Sequence, residues 1–139
     1  METPPVRVIT ASSDPVLRGA LRRALWSDHR VDLVGEATDG DAVVNFGEPF
    51  DVAVVDLAIG GFGVMGVLSH LSQGDSAPAV IIVSRSDAVY LRHAVEAEGA
   101  AGFVVIPSNP PAQVALAGLA DRAASIAAAH RPLAATAGG

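Results

Sequence analysis

Residues 52–61 read VAVVDLAIGG, and this stretch decides the fold class. Its first four residues are apolar and favour β structure, a pattern typical of a strand buried on both faces of a parallel sheet. Asp56 ends the apolar run and is followed at once by a loop that contains glycine. Because open α/β sheets place their chemistry at the carboxyl ends of such strands, Asp56 is the first candidate site residue.

Strand and helix patterns alternate along the rest of the chain. Apolar or alternating segments predict five strands, at residues 6–10, 31–37, 51–56, 79–83 and 102–106. Helical spacing and capping residues predict five helices, at residues 15–25, 39–46, 64–73, 87–98 and from about 111 to the late 120s. This alternation predicts one α/β domain with a five-stranded, doubly wound parallel sheet and helices on both of its faces.

Composition excludes several classes of protein. With 139 residues, half of them hydrophobic, the chain is long enough for one domain with a substantial core. It has no apolar run near ~18 residues, so no membrane helix is expected, and it has no cysteine for disulfides or thiol chemistry. A formal net charge of −6 and few aromatic residues argue against nucleic-acid binding by this domain alone. We expect a cytoplasmic domain, because the N-terminus does not resemble a signal peptide.

The polar residues after the first strand do not form a hydrolase motif. Ser12 and Ser13 precede Asp14, but no histidine is placed to activate a serine, so we do not expect an enzyme. Asp14 stands directly before Pro15, which favours a helix N-cap over a replacement metal ligand. The four histidines lack the spacing of metal ligands: His29, His70, His93 and His130.

Five segments, in the right order, resemble a response-regulator receiver domain of the NarL/FixJ type over residues 6 to about 127. They are residues 15–25, 31–40, 54–57, 82–84 and 99–105. The resemblance implies the flavodoxin-like or CheY-like (βα)5 fold. It also implies that Asp56 occupies the phosphoacceptor position, that Ser84 is the hydroxyl that senses a phosphoryl group, and that Phe103 is the aromatic switch residue.

The chain departs from this family at three of the five positions expected to run phosphotransfer. Ser12 and Ser13 stand where the family has two acidic residues, and Ile106 stands where it has lysine. The chain contains no lysine, so only an arginine such as Arg85 is available as a substitute cation. Magnesium prefers carboxylates and water in octahedral geometry. The loss of one supporting group at a metal site typically costs about 10–100-fold, so three losses predict that phosphotransfer to Asp56 is weakened by ~10³–10⁶-fold. We also expect weak or absent Mg²⁺ binding and no other cofactor.

The sequence therefore predicts an atypical receiver domain, at residues 1–127, of a bacterial two-component or orphan transcriptional regulator. We expect it to act without phosphorylation, through a fixed conformation or a bound small molecule that controls an output face. That face consists of the helix from Asp87 to Glu98, the fifth strand and the last helix, and we expect it to form a homodimer. Two alternatives stay open: a conventional receiver phosphorylated on Asp56 by a histidine kinase, and a small-molecule sensor.

The resemblance also bears on DNA binding. Relatives of this type bind DNA through a helix-turn-helix domain, which is absent from these 139 residues. Residues 128–139 are rich in small and polar residues, and we expect them to form a disordered tail or the stub of an interdomain linker.

Overall fold

A computed structural model describes residues 4–73, 77–106 and 116–130, and strands alternate with helices along it. The strands are β1 (Val6–Ala11), β2 (Val31–Ala37), β3 (Val52–Asp56), β4 (Ala79–Ser84) and β5 (Gly102–Val105). The helices of the described residues are α1 (Pro15–Trp26), α2 (Gly40–Val44), α3 (Gly63–Leu71), α4 (Val89–Ala97) and α5 (Leu119–His130). Within this described part, no helix is both long enough and apolar enough to cross a bilayer.

The strands form one parallel sheet in the order β2-β1-β3-β4-β5. The central strands β3 and β4 are buried along almost their whole length, whereas the edge strand β5 is half-buried and most of β2 is half-buried or exposed. This difference explains why the central strands read as continuous apolar runs and β2 as an alternating one. The order changes direction between β1 and β3, which confirms the predicted doubly wound fold.

Helices cover both faces of the sheet and divide the core into two apolar layers. The layer against α1 and α5 contains Leu21 and Ile81. The layer against α2, α3 and α4 contains Leu68 and Ile82. Successive side chains of a strand point to opposite faces, which is why Ile81 and Ile82 belong to different layers.

The last helix begins later than the sequence pattern predicts. Residues 116–118 form a turn, and Gly118 has a φ of 83°, a left-handed conformation through which a right-handed helix does not continue. The predicted start near residue 111 is outside the described residues, but helix at 116–118 is wrong. The helix α5 extends to His130, past the predicted domain limit at residue 127, and residues 131–139 are outside the described residues.

Both core layers should be needed for stability. Ile81→Ala and Ile82→Ala each remove a fully buried side chain from a different layer, and each should lower the free energy of unfolding by about 2–5 kcal/mol. Urea denaturation followed by circular dichroism measures the loss. Val16→Ala, at an exposed position of α1, is the control and should change the value by less than about 0.5 kcal/mol. A control-sized effect at either isoleucine would contradict the two-layer core.

Candidate functional site

The parallel pairing of β1 with β3 brings the two key side chains together. Ala11 of β1 lies beside Val55 of β3, so Ser12 follows β1 at the level where Asp56 ends β3. Both residues therefore lie at the carboxyl edge of the sheet, where the strand order changes direction. The Ser12 hydroxyl donates a hydrogen bond of 2.9 Å to the Oδ2 atom of Asp56.

Ser12 is fully buried, and its polar atoms are bonded on all sides. Its backbone N–H donates to the carbonyl of Ala37 at 3.0 Å, and its hydroxyl oxygen also accepts from the N–H of Asp14 at 3.1 Å. The Arg18 guanidinium donates to the Ser12 carbonyl at 2.8 Å. A hydroxyl that both donates and accepts has a fixed orientation, so the Ser12–Asp56 bond is built into the local fold.

Asp56 is half-buried and receives its hydrogen bonds from neutral donors. Ser12 donates to Oδ2, and the backbone N–H of Ala58 donates to Oδ1 at 3.0 Å. Among the ion pairs of the described residues, none includes Asp56. An ionised carboxylate can accept about four hydrogen bonds, so Asp56 retains acceptor capacity.

Asp14 caps α1, as the sequence predicts. Its Oδ1 atom accepts from the backbone N–H of Val16 at 2.9 Å. Its Oδ2 atom accepts from the Arg85 guanidinium at 2.8 Å, which joins the loop after β1 to the loop after β4. The Val16 N–H foremost, and Arg85 after it, hold the pKa of Asp14 below its ordinary value. Both oxygens of this ionised carboxylate are therefore in use.

Ser84 is buried at the end of β4, and its hydroxyl is bonded within its own loop. It donates to the carbonyl of Ser86 and accepts from the N–H of Ser86, both at 2.9 Å. The Ser84 carbonyl accepts from the N–H of Ile106 at 2.7 Å. In the described residues, the hydroxyl therefore bonds to Ser86 and not to Asp56.

The other two predicted site residues, Phe103 and Ile106, pack in opposite layers of the core. Phe103 on β5 is half-buried, and the Arg92 guanidinium of α4 lies 5.1 Å from the centre of its ring. Ile106 is 1% exposed and packs in the layer against α1 and α5. The residue at the family's lysine position is therefore part of the core.

A surface cleft of about 440 Å³ lies beside Asp56. Its wall combines three loops, those that follow β1, β3 and β4. The lining residues are Ser13, Asp14, Asp56, Leu57, Ala58, Ser84, Arg85 and Ser86. Three of the predicted site residues thus share one cleft, Ser12 lies behind it, and Phe103 and Ile106 do not line it.

The residues at this edge do not fit the Mg²⁺ site that a receiver domain implies. In the part of the chain that the structure describes, no group of three His, Cys, Asp or Glu side chains is close enough to hold a metal ion. The cleft has two carboxylates, and Asp14 is already bonded to Val16 and Arg85. Mg²⁺ demands near-ideal octahedral oxygen geometry, which a single available carboxylate does not provide.

Sequence reasoning missed two residues that shape the site. Arg18 lies one helical turn after the N-cap Asp14, and this spacing could have predicted that its side chain contacts the loop before α1. Ser86 has no such signal, because its role depends on how the loop after β4 folds against Ser84.

Known proteins resemble this chain in sequence, although no family model matches it. The nitrate/nitrite response regulator protein NarP of Escherichia coli is 28% identical over 111 residues, which are 78% of this chain and 52% of NarP. A protein-glutamate methylesterase/protein-glutamine glutaminase of Rhodospirillum centenum is 29% identical over 109 residues, which are 76% of this chain and 28% of that protein.

The same relationship is found among solved structures. The signal receiver domain of NarL from Mycobacterium tuberculosis superimposes with a TM-score of 0.75 and 26% identity, covering 87% of this chain and 98% of that domain. The homologues and structural neighbours of this chain are response-regulator receiver domains. The chain spans about half of NarP and about a quarter of the methylesterase, and so corresponds to the receiver part of such proteins.

The stability of the receiver domain should depend on the hydroxyl of Ser12 but not on that of Ser13. Ser12→Ala removes the donor to Asp56 and the acceptor for Asp14, and it should lower the free energy of unfolding by about 1–3 kcal/mol. Ser13 is exposed, so Ser13→Ala is the matched control, with a change below about 0.5 kcal/mol. Urea denaturation compares the two variants, and equal stabilities would show that the Ser12 bond is unimportant.

Proposed function

We propose that this receiver domain transmits a signal without Mg²⁺-dependent phosphorylation of Asp56, as a module of a bacterial transcriptional regulator. The hydrogen bond from Ser12 to Asp56 carries the proposal. In place of an acidic residue that would help to hold Mg²⁺, a neutral hydroxyl donates directly to the carboxylate oxygen. The bond occupies one acceptor position of Asp56 and brings no negative charge to attract a cation.

The cations of the described residues support the same proposal. Phosphoryl transfer requires positive charge to neutralise the oxygens of the transferred group. Ile106 offers no donor, and its side chain is buried in the core. The nearest cation in the cleft, Arg85, is paired with Asp14. Phosphorylation of Asp56 would therefore require a set of Mg²⁺ ligands and an unpaired cationic side chain, and the described residues supply neither.

Output in this proposal passes through the face formed by α4, β5 and α5. The start of α4 exposes Val89 and Tyr90, at 63% and 74% of their surface. A pair of exposed large side chains on one helix is the kind of feature that protein interfaces bury. We propose that this face forms a homodimer, and that DNA binding belongs to a separate output domain of the regulator.

The amide NMR spectrum tests phosphorylation independence directly. We expect no large shifts at Asp56, Ala58, Ser84 or Phe103 when Mg²⁺ is added at millimolar concentration, followed by beryllofluoride as a stand-in for a phosphoryl group on Asp56. The physical reason is that one free carboxylate is a poor ligand set for Mg²⁺. Large shifts around Asp56 in the unmodified domain would overturn the proposal and restore the conventional phosphoacceptor.

A variant with the acidic pair restored provides the matched control. Ser12→Asp together with Ser13→Asp should give a domain whose Asp56 and Ala58 amides respond to millimolar Mg²⁺. Without metal it should be less stable than the unmodified domain, because two carboxylates ~4 Å apart repel by ~4 kcal/mol at an effective dielectric constant of ~20. Failure of a folded double variant to respond would show that these two positions do not decide metal binding.

The homodimer is tested by sedimentation velocity. Tyr90→Glu introduces a charge into the proposed interface and should weaken self-association at least about tenfold, since an unpaired buried charge costs more than 1.4 kcal/mol. Trp26→Glu is the matched control, because Trp26 is 69% exposed on a different helix, α1, where Arg22 lies over its ring. The reverse pattern would place the interface on α1, and a monomeric unmodified domain would remove the dimer from the proposal.

A further inference from the structure

Among the described residues, the half-buried carboxylate of Asp56 is in no ion pair. Its two hydrogen bonds come from the neutral hydroxyl of Ser12 and the neutral N–H of Ala58. A cation that entered the cleft could pair with this carboxylate without displacing an ion pair of the described residues.

The cleft over Asp56 favours a cation by its charge. Its lining residues carry two carboxylates, Asp14 and Asp56, and one guanidinium, Arg85. Asp14 and Arg85 form an ion pair at 2.8 Å and neutralise each other. The remaining charge is the negative charge of Asp56, so the field of the cleft attracts cations and repels anions.

The size and walls of the cleft favour an organic ligand over a metal ion. A volume of about 440 Å³ lies within the range of small-molecule sites, which is roughly 300–1,000 Å³. Leu57 and Ala58 provide apolar surface next to the carboxylate, and the methylene groups of Arg85 extend it. A hydrated divalent ion gains no favourable contact with apolar walls, whereas the carbon chain of a small amine would pack against them.

We propose that this cleft binds a small primary amine, whose ammonium group pairs with Asp56 and whose apolar body lies on Leu57, Ala58 and the stem of Arg85. The inference rests on the proposed function, because it requires an Asp56 that is not phosphorylated. It also names the class of ligand that controls the domain. Ser84 and Ser86 line the same cleft, and α4 begins three residues after Ser86, so an occupant contacts the segment that leads to the output face.

The test compares three probes of the same shape and different charge. Butylammonium, butan-1-ol and butyrate are titrated into the full chain at neutral pH, and amide shifts are followed by NMR. Butylammonium should shift the amides of Ser13, Ala58 and Arg85 with a Kd on the order of 10 mM, as expected for so small a probe. Butan-1-ol should produce at least about tenfold weaker binding, and butyrate should produce no shifts at these residues.

Two charge-neutralising variants identify the carboxylate. Asp56→Asn keeps the shape of the side chain and should weaken butylammonium binding at least about tenfold. Glu96→Gln removes an exposed carboxylate on α4 and should leave binding unchanged, which excludes a general attraction to the acidic surface. Equal binding of butan-1-ol, stronger binding of butyrate, unchanged binding by Asp56→Asn, or no shifts at all would each overturn the inference.

The outcome is separable from that of the proposed function. A domain that ignores Mg²⁺ and beryllofluoride and also ignores butylammonium would lose the amine site but keep phosphorylation independence. A domain that responds strongly to Mg²⁺ and beryllofluoride would lose the proposed function whatever butylammonium does.

Discussion

The proposed function of this domain depends on the hydrogen bond from Ser12 to Asp56. This bond exists because β1 and β3 are parallel neighbours whose carboxyl ends lie side by side, which places the residue after β1 against the last residue of β3. The fold brings these positions together whatever residues occupy them. Acidic residues at these positions would repel Asp56, whereas the hydroxyl of Ser12 donates a hydrogen bond to it. Serine therefore puts a neutral donor where the family has a second negative charge, and Asp56 keeps the remaining charge of the cleft.

A bond of this kind has consequences for the resting state. A hydrogen bond to a charged group contributes about 1.5–3 kcal/mol, which corresponds to a population bias of about 10–150-fold toward the bonded arrangement. The same hydroxyl accepts from the N–H of Asp14, so the bias extends to the N-cap of α1. Asp14 in turn is paired with Arg85, which ties in the loop after β4. These side-chain contacts thus connect the three loops around the cleft.

The fold was predictable from the sequence to a greater extent than the site. Buried central strands read as apolar runs, and the Asp14-Pro15 pair marked the start of α1, because burial and capping leave local patterns. The turn before α5 was missed, since an alanine-rich stretch favours helix while Gly118 adopts a left-handed conformation. The positions of Asp56, Ser12 and Ser84 followed from strand ends. The pairing of Arg85 with Asp14 did not, because it joins residues 71 apart in sequence, and no local pattern fixes such a contact.

One short segment, between Ser84 and Val89, connects the cleft to the output face. Ser84 ends β4 and Val89 begins α4, and the turn between them is held by the two hydrogen bonds that link Ser84 to Ser86. A change in this turn acts on the segment that leads directly into α4, because only four residues separate Ser84 from Val89. The same helix carries Arg92, whose guanidinium lies over Phe103 on β5. Movement of α4 therefore changes a cation–π contact with the aromatic side chain of the neighbouring strand. In the proposed mechanism, this contact would link the loop of Ser84 to the position of Phe103 without a phosphoryl group on Asp56.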